Sequence, residues 1–269
     1  QFMIRTDLND KKIKIISKII KDTNIASEIG YIVIGSVPHD SKTGASKDRL
    51  ISSTKSGESF KKYIEGKDMS RYYLDWRGIY LNYQPKIMHR PKFPELFENE
   101  KLIIRNISTK EGLLAVYDET KYYTNDTVSL FVPWFKLKNV NIKGENITPL
   151  MIENSKKYNL KYCLGLINSK IINFYFKHML SSNLHVYPEA IRNLPIKIVS
   201  ESQQQPIIKL VDRMLSLNKQ LQELGDKKTS LSSKKEAEIK QTDQEIDELV
   251  YRLYNITEEE KKIIEESLK

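Results

Sequence analysis

"IYLNYQPKIMHRPKFPELFENEKLIIRNIS", residues 79–108, holds the pattern that decides the fold. Its apolar, aromatic and β-branched residues come in short runs with two-residue alternation, the period of a strand. "IYLNY", "KIMHR" and "KLIIRNIS" read as three strands. Pro85, Pro91 and Pro94 separate them, because proline cannot donate to a sheet ladder. "LLAVYD" and "VSLFVP" continue the series up to Pro133, with Gly112 and Asn125-Asp126 as turns. Closely spaced strands of this kind predict a mixed or antiparallel, partly barrel-like sheet.

The flanks read as helices. "DKKIKIISKIIK" (10–21) sets Ile13, Ile16 and Ile20 at helical spacing, and "YIVIG" (31–35) reads as a buried strand. Between it and the sheet lie residues 35–57, rich in Gly, Ser, Thr, Asp and Lys, which read as a long functional or mobile loop. Residues 158–180 read as one helix, with Cys163, Ile167, Ile171, Tyr175 and Met179 at every fourth position. "LPIKIV" (194–199) reads as a further strand. Ile207, Leu210, Met214, Leu217, Leu221 and Leu224 then form a heptad seam. Gly225-Asp226 breaks it, and a second seam follows at Ile239, Ile246 and Leu253. The pair predicts an antiparallel helical hairpin, and Thr257 with Glu260 predicts a capped final helix. The expected architecture is therefore α+β: a mixed or antiparallel, partly barrel-like sheet with flanking helices, followed by the C-terminal hairpin. Residues 1–200 would be one domain and 201–269 the hairpin region.

Composition narrows the chemistry. The 269 residues are 39% hydrophobic and 29% charged, enough apolar content for a sizeable core. The net charge of +9 is uneven: residues 201–269 carry 12 basic and 15 acidic side chains, so the basic excess lies before them. Such an excess suits phosphate neutralisation, and a lysine-rich composition produces it equally well. The single cysteine, Cys163, sits among apolar neighbours and reads as a small buried residue. His39, His89, His178 and His185 show no zinc spacing. No signal segment follows Gln1 and no apolar run reaches membrane-spanning length. The expectation is a cytoplasmic protein, a piece from the C-terminal side of a longer one, with no membrane partner.

Two readings compete for "YIEGKDMSRYYLDW" (63–76). Glu65-x-Lys67 resembles the tail of a metal-nuclease acid–lysine set, which needs a further acid; Pro38-His39-Asp40 is the nearby candidate. The bland counterpart is a solvated turn. The other reading is a surface that holds nucleic acid. From Lys61 to Arg90, cations alternate with Tyr63, Tyr72, Tyr73, Trp76, Tyr80 and Tyr83. Cations suit phosphates and base edges, and rings suit stacked or extruded bases. Trp76 and Tyr80 read as core anchors. No glycine-rich cofactor loop, Pro-Pro pair or nucleophile elbow is present, so no catalytic or metal-ligating residue is assigned in this chain.

Several stretches together resemble the TaqI-like C-terminal specificity domain. "FKKYIEGKDMSRYYLDWRGIYLNY" (60–83) resembles its opening motif, and "KLIIRNIS" (101–108) its central strand. "YCLGLINSKIINFYF" (162–176) is similar to its Asn-Ser helix, and "LPIKIVSESQQQPIIKLVDRML" (194–215) to the strand that leads into its helical hairpin. "SKTGASKDRLI" (41–51) is similar to its Thr-Gly loop but lacks the usual downstream Phe, which leaves the loop's role open.

The resemblance implies a target-recognition domain for double-stranded DNA. In that family it follows an adenine-specific methyltransferase domain that uses S-adenosylmethionine, and some members add a nuclease. By that resemblance the cofactor belongs to the parent and none to this fragment. The methyltransferase domain would lie in the same parent chain or in a partner subunit. The candidate DNA-facing residues are Lys42, Lys47, Lys61, Lys62, Lys67, Arg71, Tyr72, Tyr73, Arg90, Arg105 and Asn106. Three competing readings are a half-sized specificity subunit of a multi-subunit restriction system, a metal nuclease using Glu65 and Lys67, and a helical interaction module with no nucleic-acid role.

Overall fold

The computed structural model describes residues 8–40, 42–44, 46–109, 112–181, 183–225 and 229–269. Helix α1 (Asp10–Ile20) leads through β1 (Thr23–Ile25) and the single turn α2 (Ala26–Ile29) into β2 (Gly30–Ile34). Short strands follow: β3 (Val37–Asp40), β4 (Ile51–Ser52), β5 (Phe60–Ile64), β6 (Met69–Ser70), β7 (Tyr73–Leu74), β8 (Tyr80–Asn82) and β9 (Met88–Arg90). The turn α3 (Pro94–Glu98) precedes β10 (Lys101–Arg105), β11 (Ala115–Asp118), β12 (Tyr123–Thr124) and β13 (Val128–Pro133). Helices α4 (Pro149–Lys156), α5 (Leu160–Asn168), α6 (Lys170–Tyr175) and α7 (Pro188–Arg192) come next, then β14 (Pro195–Lys197). The chain ends in α8 (Glu201–Glu223), α9 (Ser230–Leu253) and α10 (Glu258–Ser267).

The alternation read in 101–105 is the centre of the molecule. Sheet β11-β10-β13-β2 is antiparallel throughout, with Leu102 opposite Phe131 and Phe131 opposite Ile32. Successive side chains on a strand face opposite ways. Leu102, Ile104, Phe131 and Ile32 therefore join one core with α1, α5, α6, α8 and α9. Ile103, Leu130 and Val132 join a second core with Ile64, Leu81, Phe97 and Trp134. Burial on both faces explains the near-continuous apolar run, and each large side chain buried contributes about 1.5–3 kcal/mol. The second sheet, β12-β5-β8-β4, is mixed because β12 runs parallel to β5. The sheets stay open, and the mixed α+β architecture expected from the sequence is present.

The helical hairpin forms as the seams predict, with Ile207, Met214, Leu217 and Ile246 buried. Gly225 takes φ +69° at its break, while Asp226 lies outside the described residues. Ser200 and Gln203 form a capping box at the start of α8, and Thr257 and Glu260 form the expected one at α10. α5 lies so close to α8 that a Cβ on Gly165 would come within 2.6 Å of Ile207 Cγ2. One apolar cluster includes residues from Ile15 to Ile264, so the hairpin packs directly on the first sheet's helical layer.

Three sequence expectations need correction. The helix expected over 158–180 breaks at Ser169, which is extended (φ −70°, ψ 154°) and caps α6. The reason is polar. Asn168 bonds both backbone groups of Ala115 at 2.9 and 3.0 Å, and Asn173 Oδ1 accepts from Leu113 N at 2.5 Å. These two amides cover the open edge of β11, and a straight helix could not aim both there. Beyond them the backbone widens into a π-turn at Phe176–Leu180, and Met179 leaves the apolar stripe at 40% exposed. The expected loop over 35–57 contains β3, β4 and a 3₁₀ turn at Lys47–Arg49, and its two strands pair with β9 and β8. Finally, α1 buries Ile15, Ile16 and Ile19, while Ile13 and Ile20 are half exposed. Among the described residues no helix is long and apolar enough to cross a membrane.

Candidate nucleic-acid interface

Glu65 is the pivot of the candidate surface. It ends β5 and opens a single 3₁₀ turn, Gly66–Asp68, in which Glu65 N donates to Asp68 Oδ2 at 2.8 Å. Gly66 N donates to Thr127 Oγ1 at 2.8 Å, so the turn rests on the first sheet beside Arg105. The Glu65 carboxylate is buried and fully engaged. Oε1 accepts from Tyr63 Oη at 2.9 Å, from Asn125 Nδ2 at 3.3 Å and from Lys47 Nζ; Oε2 lies 3.0 Å from Lys67 Nζ. Burial pushes its pKa up, but the Lys47, Lys67 and Tyr63 hydrogen bonds outweigh it and hold the carboxyl below its ordinary value. Burial and the neighbouring Glu65 push Tyr63 far above the usual phenol range. Asp68 Oδ1 pairs with Arg77 at 2.5 Å.

This geometry bears on the acid–lysine reading. Asp40, the candidate further acid, accepts from the backbone of Lys42 at 2.8 Å and Thr43 at 3.1 Å, which lowers its pKa and closes its own turn. Glu65, Asp68 and Asp40 are thus each committed to a local partner. Among the described residues, no group of three or more His, Cys, Asp or Glu side chains is placed to hold a metal ion.

The candidates divide by position. Lys47, Lys67, Arg105 and Asn106 come together around the Glu65 turn. Lys67 is the most open of them, its side chain 62% exposed. Asn106 is half-buried: its Nδ2 donates to Asp126 O and its Oδ1 accepts from Ser129 Oγ, both at 2.7 Å. Lys61 and Lys62 stand on β5, where Lys62 Nζ lies 4.7 Å from the Trp76 ring centre and Lys61 Nζ lies 3.4 Å from Glu98. Arg90 is exposed on the β3–β9 ribbon and Lys42 in the turn just after β3. Tyr73 is half-buried on β7.

Arg71 and Tyr72 do not join this surface. They form the turn between β6 and β7, which points inward. Tyr72 is 3% exposed, and Arg71 pairs with Asp243 on α9 at 2.8 Å. Trp76 and Tyr80 meet edge to face at 5.3 Å; both are half-buried, and Trp76 packs against the second core rather than fully inside it. Cys163 is buried, and burial raises its thiol to about 12.

Some groups escaped the sequence reading. Lys55 and Lys121 line one cavity with Lys61 and Lys62, beside Tyr80 and Tyr123. Lys121 lies about sixty positions from Lys61, and only the parallel β12–β5 pairing brings them together. The His39 and His89 rings stack at 4.6 Å across the ribbon. The register of β3 and β9 produces this contact, and no local spacing announces it.

Comparisons with known proteins add to this geometry. No curated protein sequence matches the chain. Among solved structures, the fold is similar to that reported as the Type IIL restriction-modification enzyme MmeI in complex with DNA. The TM-score is 0.55 at 12% identity, over 87% of this chain and 34% of that one. The HsdS subunit from Thermoanaerobacter tengcongensis aligns with a TM-score of 0.42 at 10% identity, over 91% of this chain and 51% of that one. The chain thus spans only about a third of the first protein and half of the second. Residues 61–144, from β5 through β13 and the turn beyond it, match the TaqI-like C-terminal specificity domain, the family whose motifs the sequence resembles.

Proposed function

We propose that this chain reads a sequence in double-stranded DNA as the specificity part of a restriction-modification system. The observation that carries the reading is the family match over 61–144, the same segment that presents Lys61, Lys62, Lys67, Arg77 and Arg90 on its outside. Cations open to solvent suit backbone phosphates, and their spread over β5, the turn after it and β9 suits a duplex rather than a compact anion. Tyrosine and tryptophan beneath the lysines hold them in place through ring contacts.

In this proposal the chemistry lies elsewhere. An adenine methyltransferase domain, in the same parent chain or a partner subunit, binds S-adenosylmethionine and takes the extruded adenine while this domain holds the flanking sequence. The test is duplex DNA binding by the full-length protein across a salt series, with selection from a random-sequence pool. A reader enriches a defined sequence and loses affinity steeply as salt rises. No binding at low salt, or no enriched sequence, would overturn the reading. Mg²⁺-dependent cleavage by this chain alone, abolished by Lys67→Ala, would instead favour the nuclease reading.

A further inference from the structure

The two inward candidates, Arg71 and Tyr72, occupy an unusual position. They form the two-residue turn of the β6–β7 hairpin, where Met69 faces Leu74 and Ser70 faces Tyr73. Tyr72 has φ +64°, a left-handed conformation that is uncommon for a bulky residue. Its N–H donates to Ala115 O on β11 at 3.3 Å, so the turn is held down on the first sheet. The Arg71 guanidinium lies over the Tyr72 ring at 5.6 Å and reaches Asp243 Oδ1 at 2.8 Å.

The ionic string continues through the helices. One turn along α9, Asp247 is buried and accepts from Lys170 N at 2.9 Å, with Lys170 Nζ 3.4 Å away. Lys170 Nζ also meets Glu265 on α10 at 2.9 Å. The turn, α6, α9 and α10 thus share one line of charge. Arg71 Nε and the Tyr72 hydroxyl are buried without a well-formed hydrogen bond. The Arg71–Asp243 pair is only partly buried, its side chains 19% and 29% exposed, so its net contribution to stability is small. The pair does join the β6–β7 turn to α9 at one defined point.

The other end of the same segment faces solvent. Asp75 N donates to Asp68 O at 2.9 Å, and Arg77 pairs with Asp68. The stretch from Glu65 to Arg77 therefore carries Lys67 and Arg77 on its outer end and is pinned to α9 at its inner end. We propose that Arg71 and Asp243 are positioning residues for DNA reading: their ion pair sets the pose of the Lys67–Arg77 edge from the helical hairpin. This inference rests on the proposed reading function.

The experiment measures, for the full-length protein, the affinity ratio between the duplex enriched from a random pool and the bulk pool. Asp243→Asn and Arg71→Lys keep size and polarity but loosen the pair. Each lowers the ratio about tenfold, while the salt slope on bulk duplex stays unchanged, because the phosphate-facing lysines remain. The charge swap Arg71→Glu with Asp243→Arg brings the ratio back towards wild type. Ile246→Val thins the same α9 face without touching an ionic group, and leaves the ratio as in wild type. An unchanged ratio in the folded single variants overturns the inference, as does an equal loss in Ile246→Val. A wild-type protein that shows no preference at all overturns the reading function itself.

Discussion

Lys101 and Asp118 sit directly opposite each other on β10 and β11, joined as an ion pair with both side chains fully buried. Burial pushes the Lys101 ammonium down from its ordinary pKa, and Asp118 opposes that push. Lys101 also donates to Phe97 O, and Asp118 accepts from Thr120 N at 2.7 Å and Tyr122 N at 3.0 Å. The pair therefore ties α3 and the turn after β11 to the central strand. Removing one partner leaves a buried charge alone: Lys101→Met costs about 3–5 kcal/mol in urea denaturation. Lys101→Met with Asp118→Asn loses less, because no lone charge remains, even though the amide keeps only one of the two backbone donors, which bind different carboxylate oxygens. A double variant as unstable as the single one would refute this account.

The Glu65 turn predicts acid sensitivity. Its carboxyl titrates below the ordinary value of 4.5 in the folded chain. A lowered folded pKa gives stability that is fully present above the unfolded value and is lost as pH falls through the folded one. The thermal midpoint should hold steady from neutral pH down to about 4.5 in this respect and then drop. Glu65→Gln should show a shallower acid limb, because Lys47 and Lys67 no longer depend on a charge there. Identical acid limbs in the two proteins would show that Glu65 is not the group responsible.

Gly165 tests the packing of α5 on α8. Alanine normally favours a helix over glycine by about 1 kcal/mol. Here its methyl group would strike Ile207 Cγ2, a branch fixed near the backbone, and overpacking of that kind costs about 1–3 kcal/mol. Gly165→Ala should therefore lower the denaturation midpoint despite the better propensity. A raised midpoint would mean that the two helices part easily.

Lys67 and Tyr72 separate two ways of losing DNA binding. If Lys67 meets a phosphate as the proposed function requires, Lys67→Ala lowers affinity for all sequences alike and shrinks the log–log salt slope by about 0.9. Tyr72→Ala removes a ring buried in the first core and costs about 3–5 kcal/mol of stability. The binding isotherm and the melting curve together distinguish them. A Tyr72→Ala protein of wild-type stability would contradict the buried placement of this side chain.

Local pattern carried much of the architecture. Two-residue alternation marks β8, β9, β10, β11 and β13, and the Leu/Ile seams mark α8 and α9. Caps such as Thr257 with Glu260 are also readable, because they need only side chains three positions apart. The candidate surface was legible in part: Lys61, Lys62, Lys67 and Arg90 lie at least partly open to solvent where a basic, aromatic segment suggests they should be.

What the sequence by itself determined is the main strands of the first sheet, the first helix, the C-terminal helices and the excess of cations, since period, cap and composition are local properties. Only the tertiary structure decided which way each element faces. It turned Arg71 and Tyr72 inward because Asp243 and Ala115, far along the chain, offered a charge and a carbonyl there. It broke the 158–180 helix because the open edge of β11 needed the amides of Asn168 and Asn173. It also closed Lys47 onto Glu65, and set Lys121 beside Lys61, through pairings that no spacing of two or four residues can announce. A buried polar group must find its partner wherever the fold brings one within reach, and that distance is set by the whole chain.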